Sequence, residues 1–250
     1  MRSLAVVVAL LALFATADAR PRHHDAPAKK SKRVAVKKLH AKHIPIHGPI
    51  HGQSAGAPWD GELHDPAQLA EGDGYVIRRP YRAFGTRSTV DFVQRAVTDM
   101  RAQFPETHVL AVGDISAKDG GKITEHHSHQ SGRDVDIGLV YKTKPENFPH
   151  DFVAATDDNL DCEATYALVN EFAETAKEDG GAQVIFLDFN VQGMLFRWAK
   201  EHGEGTDVLE HLFQFPHRGA SGALVRHEPN HNNHIHVRFR CPKGDTACSN

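Results

Sequence analysis

The chain changes character near residue 53, and that change limits what can fold. Residues 20–53 are dominated by Lys, Arg, His, Pro, Ala and Gly, with nine Lys/Arg against one acid, Asp25. This stretch carries a net +8 and has too few large apolar side chains to offset the entropy of ordering its backbone. It reads as a disordered basic linker. Ahead of it, Arg2, a twelve-residue apolar run from Leu4 to Ala15 and the small residues Ala17 and Ala19 read as a signal peptide cleaved after Ala19. The run is too short for a comfortable membrane span. Any fold must therefore come from residues 54–250, which carry −11 in a chain whose total is −3. With 40% hydrophobic residues overall, a real core is within reach.

Within that domain the apolar periodicity predicts helices and short strands in alternation. Val93, Ala96, Val97, Met100 and Phe104 form a helical stripe over 89–104, with Ser88 or Thr89 as its cap. Asp161 opens a second helix that Gly180 and Gly181 end, Asn190 caps a third, and a shorter one begins at Thr206. Strands are expected over 75–77, 108–115, 134–140, 184–187 and 234–240. Short, closely spaced strands interleaved with helices favour an α+β fold, a central antiparallel sheet with flanking helices.

Two segments concentrate the reactive side chains: EHHSHQSGRDVD (125–136) and HNNHIHVR (231–238). On a strand, alternate side chains share a face, so His234 and His236 project together while Ile235 and Val237 enter the core. By the same rule Asp134 and Asp136 share a face. Two carboxylates side by side repel unless a metal or basic partner lies between them. Gly132 lets the chain turn so that His129 folds back over the strand. One His and one Asp from here with one His from 234–236 form an N₂O set, leaving a fourth position for water as catalytic zinc sites do. A chain with 19 histidines makes His-x-His weak evidence alone, and it is the pairing of two one-faced strands that points to a metal. Gly-x-Ser-x-Gly, Ser-x-x-Lys and His-Glu-x-x-His are absent, which disfavours serine acyl-enzyme and zincin chemistry.

HQSGRDVD (129–136) fits an H-x6-D motif and His234-Ile235-His236 an H-x-H motif, and together they resemble the LAS metallopeptidases. That group includes lysostaphin-type enzymes, D-Ala-D-Ala metallopeptidases and the hedgehog signalling domain. Arg79-Pro80, Phe84-Gly85, VGDIS (112–116), His126, His231 and Asp188-x-Asn190 make the chain most similar to the penicillin-insensitive murein endopeptidases, over roughly residues 74–242. The resemblance implies a LAS-like fold and one Zn²⁺ held by His129, Asp136 and His236. It implies His234 as catalytic base or transition-state stabiliser, with His126 and His231 lining the site. Asp134 is expected behind the ligands, and Arg133 and Asn233 are substrate or supporting contacts. The implied activity is zinc-dependent hydrolysis of D-alanyl–diaminopimelyl cross-links in peptidoglycan, in the periplasm. Competing readings are a D-Ala-D-Ala carboxypeptidase, a non-catalytic zinc-stabilised wall-binding module and a metal buffer using the tail histidines.

The tail's charge suits electrostatic contact with an anionic wall or membrane surface. Nucleic acid is a poor partner, because the main domain is acidic and the basic run has no aromatic residue to stack on bases. Of the three cysteines, Cys241 and Cys248 flank a short turn-rich loop and are expected to pair, Cys162–Cys241 being the alternative.

Overall fold

The computed structural model describes residues 46–250; the leader, its cleavage site and most of the basic tail lie outside the described residues. Among the described residues, ten strands and four α-helices follow in order: β1 Ser54–Ala57, β2 Asp60–Leu63, β3 Ala67–Gln68, β4 Tyr75–Ile77, β5 Phe84–Gly85, α1 Arg87–Gln103, β6 Leu110–Val112, β7 Asp134–Gly138, α2 Cys162–Thr175, β8 Ala182–Phe186, α3 Phe189–Glu201, α4 Thr206–Leu212, β9 Val225–Arg226 and β10 His234–Phe239. Six strands form one sheet in the order β4-β6-β7-β10-β8-β9.

The expected antiparallel sheet is mixed. Its four central strands are antiparallel, but β4 runs parallel to β6 and β8 parallel to β9. Parallel neighbours need a long crossover, and helices supply both: α1 between β4 and β6, α3 and α4 between β8 and β9. Local alternation carries no trace of those crossovers, so sequence periodicity reveals only the centre.

Alternation sets the two faces. Val135, Ile137, Ile235, Val237 and Phe239 are buried against the helices, where Phe239 stacks on Phe92 of α1 at 5.6 Å and meets Phe172 of α2 edge-on. The opposite face presents Asp134, Asp136, His234, His236 and Arg238. The register places His236 directly across from Asp136 and Arg238 across from Asp134. A slip of one residue would exchange core and polar faces, so burial of the apolar set fixes the pairing.

Several helix ends differ from expectation: α2 stops at Thr175 with Ala176 as its cap, short of Gly180 and Gly181, because the chain leaves the helix through turns before those glycines. Thr86, not Ser88 or Thr89, caps α1, its hydroxyl accepting from the Thr89 amide. Asp188, not Asn190, caps α3 and accepts from the Asn190 amide. Adjacent polar residues are equally good caps by type, and the start of the hydrogen-bonded turn selects among them. Asp161 caps α2 as its sequence indicates.

Residues 46–53 lie against the domain. Ile46 packs on the core, and the His47 backbone N–H and Nδ1 both reach Asp91 Oδ2, at 2.9 and 3.0 Å. Cys241 and Cys248 form a disulfide, and Cys162 is a free, half-buried thiol whose pKa burial raises.

Candidate metal centre

The site forms where β7, β10 and the loop before β7 converge. Asp136 Oδ1 is its centre. His129 Nε2 lies 3.3 Å from it, His236 Nδ1 3.4 Å and His234 Nε2 3.6 Å, while His126 Nδ1 is 3.8 Å from Asp136 Oδ2. His129 reaches this point because Gly132, at φ +72°, reverses the chain, and because Asp134 Oδ2 accepts from the His129 backbone N–H at 2.9 Å. His129 itself sits at φ +65°, a conformation that costs a non-glycine residue energy and needs support from its surroundings.

Each imidazole is oriented from behind by an oxygen that only accepts. His129 Nδ1 donates to the Ile115 carbonyl at 3.0 Å, and His236 Nε2 to Asp134 Oδ1 at 2.9 Å. His126 Nε2 donates to Asp114 Oδ2 at 3.0 Å, and His234 Nδ1 to Asn233 Oδ1 at 2.6 Å. In the neutral rings this fixes the tautomers and turns all four remaining lone pairs toward Asp136.

Two fully buried atoms here, His129 Nε2 and Asp136 Oδ1, face each other at 3.3 Å, and with the imidazole neutral neither has a hydrogen-bond partner among the described residues. Buried orphans of this kind are costly, and a cation would satisfy both. A tetrahedral ion with bonds of about 2.0–2.2 Å spaces its ligand atoms about 3.3–3.5 Å apart. The His129–Asp136 and His236–Asp136 separations match that edge. His126, His129 and Asp136 also bring one ligand atom each within 4.8 Å of one another, a group able to hold a metal ion. The donor set therefore fits a metal, with His126 and His236 both near enough to complete it.

Charge is strongly perturbed within the cluster. Burial opposes ionisation of His129, but the Asp136 carboxylate overrides it and lifts the imidazole to about 9. Burial likewise opposes ionisation of Asp136 and Asp134, yet the facing histidines, helped at Asp134 by Arg238, hold both well below the usual carboxylate range. His234 goes the other way: burial pushes it down to about 4, against the pull of Asp136. His236 is also lowered, chiefly by burial.

The centre opens into a cleft with two lobes that share Glu125, His126, Asn230 and His234. One, of about 460 Å³, is lined by Trp59, Phe186, His231 and Arg238; the other, of about 410 Å³, by Arg78, Asp114, Asp151 and Phe152.

A sequence profile of the penicillin-insensitive murein endopeptidases matches residues 55–185, more than half of the chain. The chain belongs to that family. The match includes His126, His129, Asp134 and Asp136 and ends before β10. A penicillin-insensitive murein endopeptidase of Pectobacterium atrosepticum is 30% identical over 195 residues, covering 73% of this chain and 62% of that protein. One from Klebsiella pneumoniae is 27% identical over 218 residues, covering 81% and 72%. One from Yersinia enterocolitica is 29% identical over 195 residues, covering 73% and 63%. The chain thus spans about three-fifths of the length of the first of these relatives.

In this murein endopeptidase family member the structure brings His126, His129, Asp134, Asp136, His234 and His236 into one cluster. His231 borders it, its ring 4.7 Å from that of His234 and its Nδ1 on the Pro229 carbonyl at 2.8 Å. Asn233 lines the lobe beside Asp136, and its Oδ1 accepts from His234 Nδ1 at 2.6 Å. Arg133 is elsewhere. It is fully buried, donating to Ser54 Oγ at 2.8 Å, the Phe239 carbonyl at 3.0 Å and the Ser249 carbonyl at 2.6 Å. It ties the C-terminal segment to β1 and lines neither lobe of the cleft; its neighbour Asp134 faces the site, so strand alternation sends Arg133 away. Sequence reasoning missed the role of Asp114, which accepts from Arg79, Arg82 and His126 at 2.8–3.0 Å. The available signal was an acid closing the apolar run 109–112.

Proposed function

We propose that this chain is a zinc-dependent murein endopeptidase that cleaves D-alanyl–diaminopimelyl cross-links of peptidoglycan in the periplasm, on a LAS-like scaffold. The observation that carries the reading is the buried pair His129 Nε2 and Asp136 Oδ1, 3.3 Å apart with no other hydrogen-bond partner among the described residues and ringed by imidazole nitrogens on a cleft wall. His129, Asp136 and His236 are the ligands of this reading. His236 is preferred over His126 because its nitrogen lies closer to the carboxylate and the ring is the more buried of the two.

Bound there, zinc would lower the pKa of a water and polarise the scissile carbonyl. The chain's own residues do the rest. His234 stays neutral at working pH, because burial holds its pKa near about 4, and Asn233 keeps Nε2 as the free acceptor. Nε2 takes the proton of the attacking water and returns it to the departing amine. Asp134 stabilises this arrangement from behind, accepting from His236, Arg238 and the His129 backbone at once. Asp114 does the same for His126.

Digestion of purified cross-linked peptidoglycan, read by mass spectrometry, tests the reading. The mature protein is expected to convert muropeptide dimers to monomers, to stop with chelator and to recover with zinc. His129→Ala should stay inactive when zinc is restored, and His234→Ala should bind zinc yet lose about 10²- to 10⁴-fold in rate. Release of D-alanine with cross-links intact would replace the endopeptidase with a carboxypeptidase. Intact dimers beside one tightly bound zinc would replace it with a binding module.

A further inference from the structure

The lobe beside Asp136 contains a cation that the proposed chemistry does not use. Arg78 follows β4 directly, and its backbone N–H is anchored on the Val112 carbonyl at 2.9 Å. Its guanidinium lies over the Phe152 ring, 4.2 Å from the centroid, and its Nε donates to the His150 carbonyl at 2.9 Å. Those two contacts fix the plane of the fork. Among the described residues neither terminal nitrogen has a hydrogen-bond partner, and the side chain lines the same cavity as Asp136 and His234. Its neighbours are already engaged: Arg79 is bonded to Asp114 and Glu125, and Arg82 to Asp114 and Thr124. Asp151 also lines this lobe but is exposed and makes no ion pair with Arg78 among the described residues.

Phe152 links this cation to the reacting centre. The same ring stacks on His234 with 5.1 Å between centroids and 15° between planes. Gly113 makes room for it: a Cβ there would come within 3.0 Å of the Phe152 ring and of Asp136 Cβ. A planar, pre-oriented guanidinium with both terminal nitrogens free is built for a bidentate carboxylate. Partial burial favours such a pairing over an exposed one, because water competes less.

We propose that Arg78 is a specificity-determining residue that receives the free carboxylate next to the scissile amide. The inference rests on the endopeptidase reading for its substrate class. In a D-alanyl–diaminopimelyl cross-link, the carbon bearing the acylated amine also bears a carboxylate, so an anion accompanies the bond at a fixed offset. Docked on Arg78, that anion would set the amide's position along the cleft relative to His234.

The test uses a matched pair of soluble cross-linked peptides that differ only in having a carboxylate or a carboxamide at that position. For the wild-type zinc enzyme, kcat/KM is expected to be about 10- to 100-fold higher for the carboxylate. Arg78→Gln should erase the preference, both substrates falling to the level of the amide, with zinc content unchanged. Arg78→Lys should keep part of it. If Arg78→Gln retains the full preference, the inference is overturned while the endopeptidase stands. If the wild-type protein cleaves neither peptide, calorimetric binding of the same pair decides. A carboxylate preference removed by Arg78→Gln would support the Arg78 site although the endopeptidase reading fails, and no preference would overturn both.

Discussion

At the scale of single residues, Asp136 is a carboxylate surrounded by imidazoles whose outer nitrogens are all committed. Against the effect of burial, that carboxylate raises the His129 imidazole from 6.5 to about 9. A value raised by folding means that the protonated ring stabilises the metal-free fold fully below pH 6.5 and that this contribution is lost as pH rises through about 9. Metal needs the opposite state, because it binds the deprotonated nitrogen. Zinc affinity is therefore expected to climb about tenfold per pH unit from 6.5 toward 9, with about one proton released per ion. Calorimetry in buffers of different ionisation enthalpy counts that proton; affinity flat across the window would show that His129 is already neutral. Most of these residues were legible in the sequence, because their chemistry and strand spacing are local. Arg133 was not. A buried arginine satisfied by carbonyls at Phe239 and Ser249, more than a hundred positions away, looks in sequence like any other cation beside an active segment.

At the scale of elements, the site depends on one reversal ahead of β7. Gly132 turns the chain at φ +72°, and a Cβ there would come within 2.8 Å of both Leu63 methyl carbons and 3.1 Å of Gly85 Cα. Gly132→Ala should destabilise the protein by about 1–3 kcal/mol, from backbone strain and the clash together, with zinc affinity falling in parallel because His129 is displaced. Urea unfolding beside zinc titration checks it; unchanged stability would show that Leu63 yields freely. The strands that carry the site were readable because each alternates cleanly, and β10 was placed to within one residue of its end. The β1–β2 hairpin was not foreseen. SAGA and DGEL alternate no large apolar side chains, and their pairing is fixed instead by backbone bonds and by residues 247–249 lying alongside. The parallel outer pairs escaped for a similar reason, since crossovers are decided by tertiary packing.

At the scale of the whole molecule, the sequence joins a tail of +8 to a domain of −11. Residues 46–53 already belong to the domain surface, through Ile46, His47 and the Gly52 N–H bonded to Asp245 at 2.8 Å. Deletion of residues 20–45 is therefore the informative truncation. It should leave hydrolysis of soluble muropeptide dimers unchanged and weaken sedimentation with insoluble wall. The difference between tailed and tail-less protein should vanish above about 0.5 M salt, where screening shortens electrostatic reach to a few ångströms. Equal sedimentation at low salt would make the tail a spacer only.

The shared ring of Phe152 has a consequence for how such a protein can change over time. One side chain braces both the cation that we assign to substrate choice and the imidazole assigned to proton transfer. A drift from Phe152 to a smaller residue would loosen the two together. New preferences for flanking charge must then arise at Arg78 itself or at the outer rim of the cleft, because at Phe152 selectivity and turnover are inherited as a single trait.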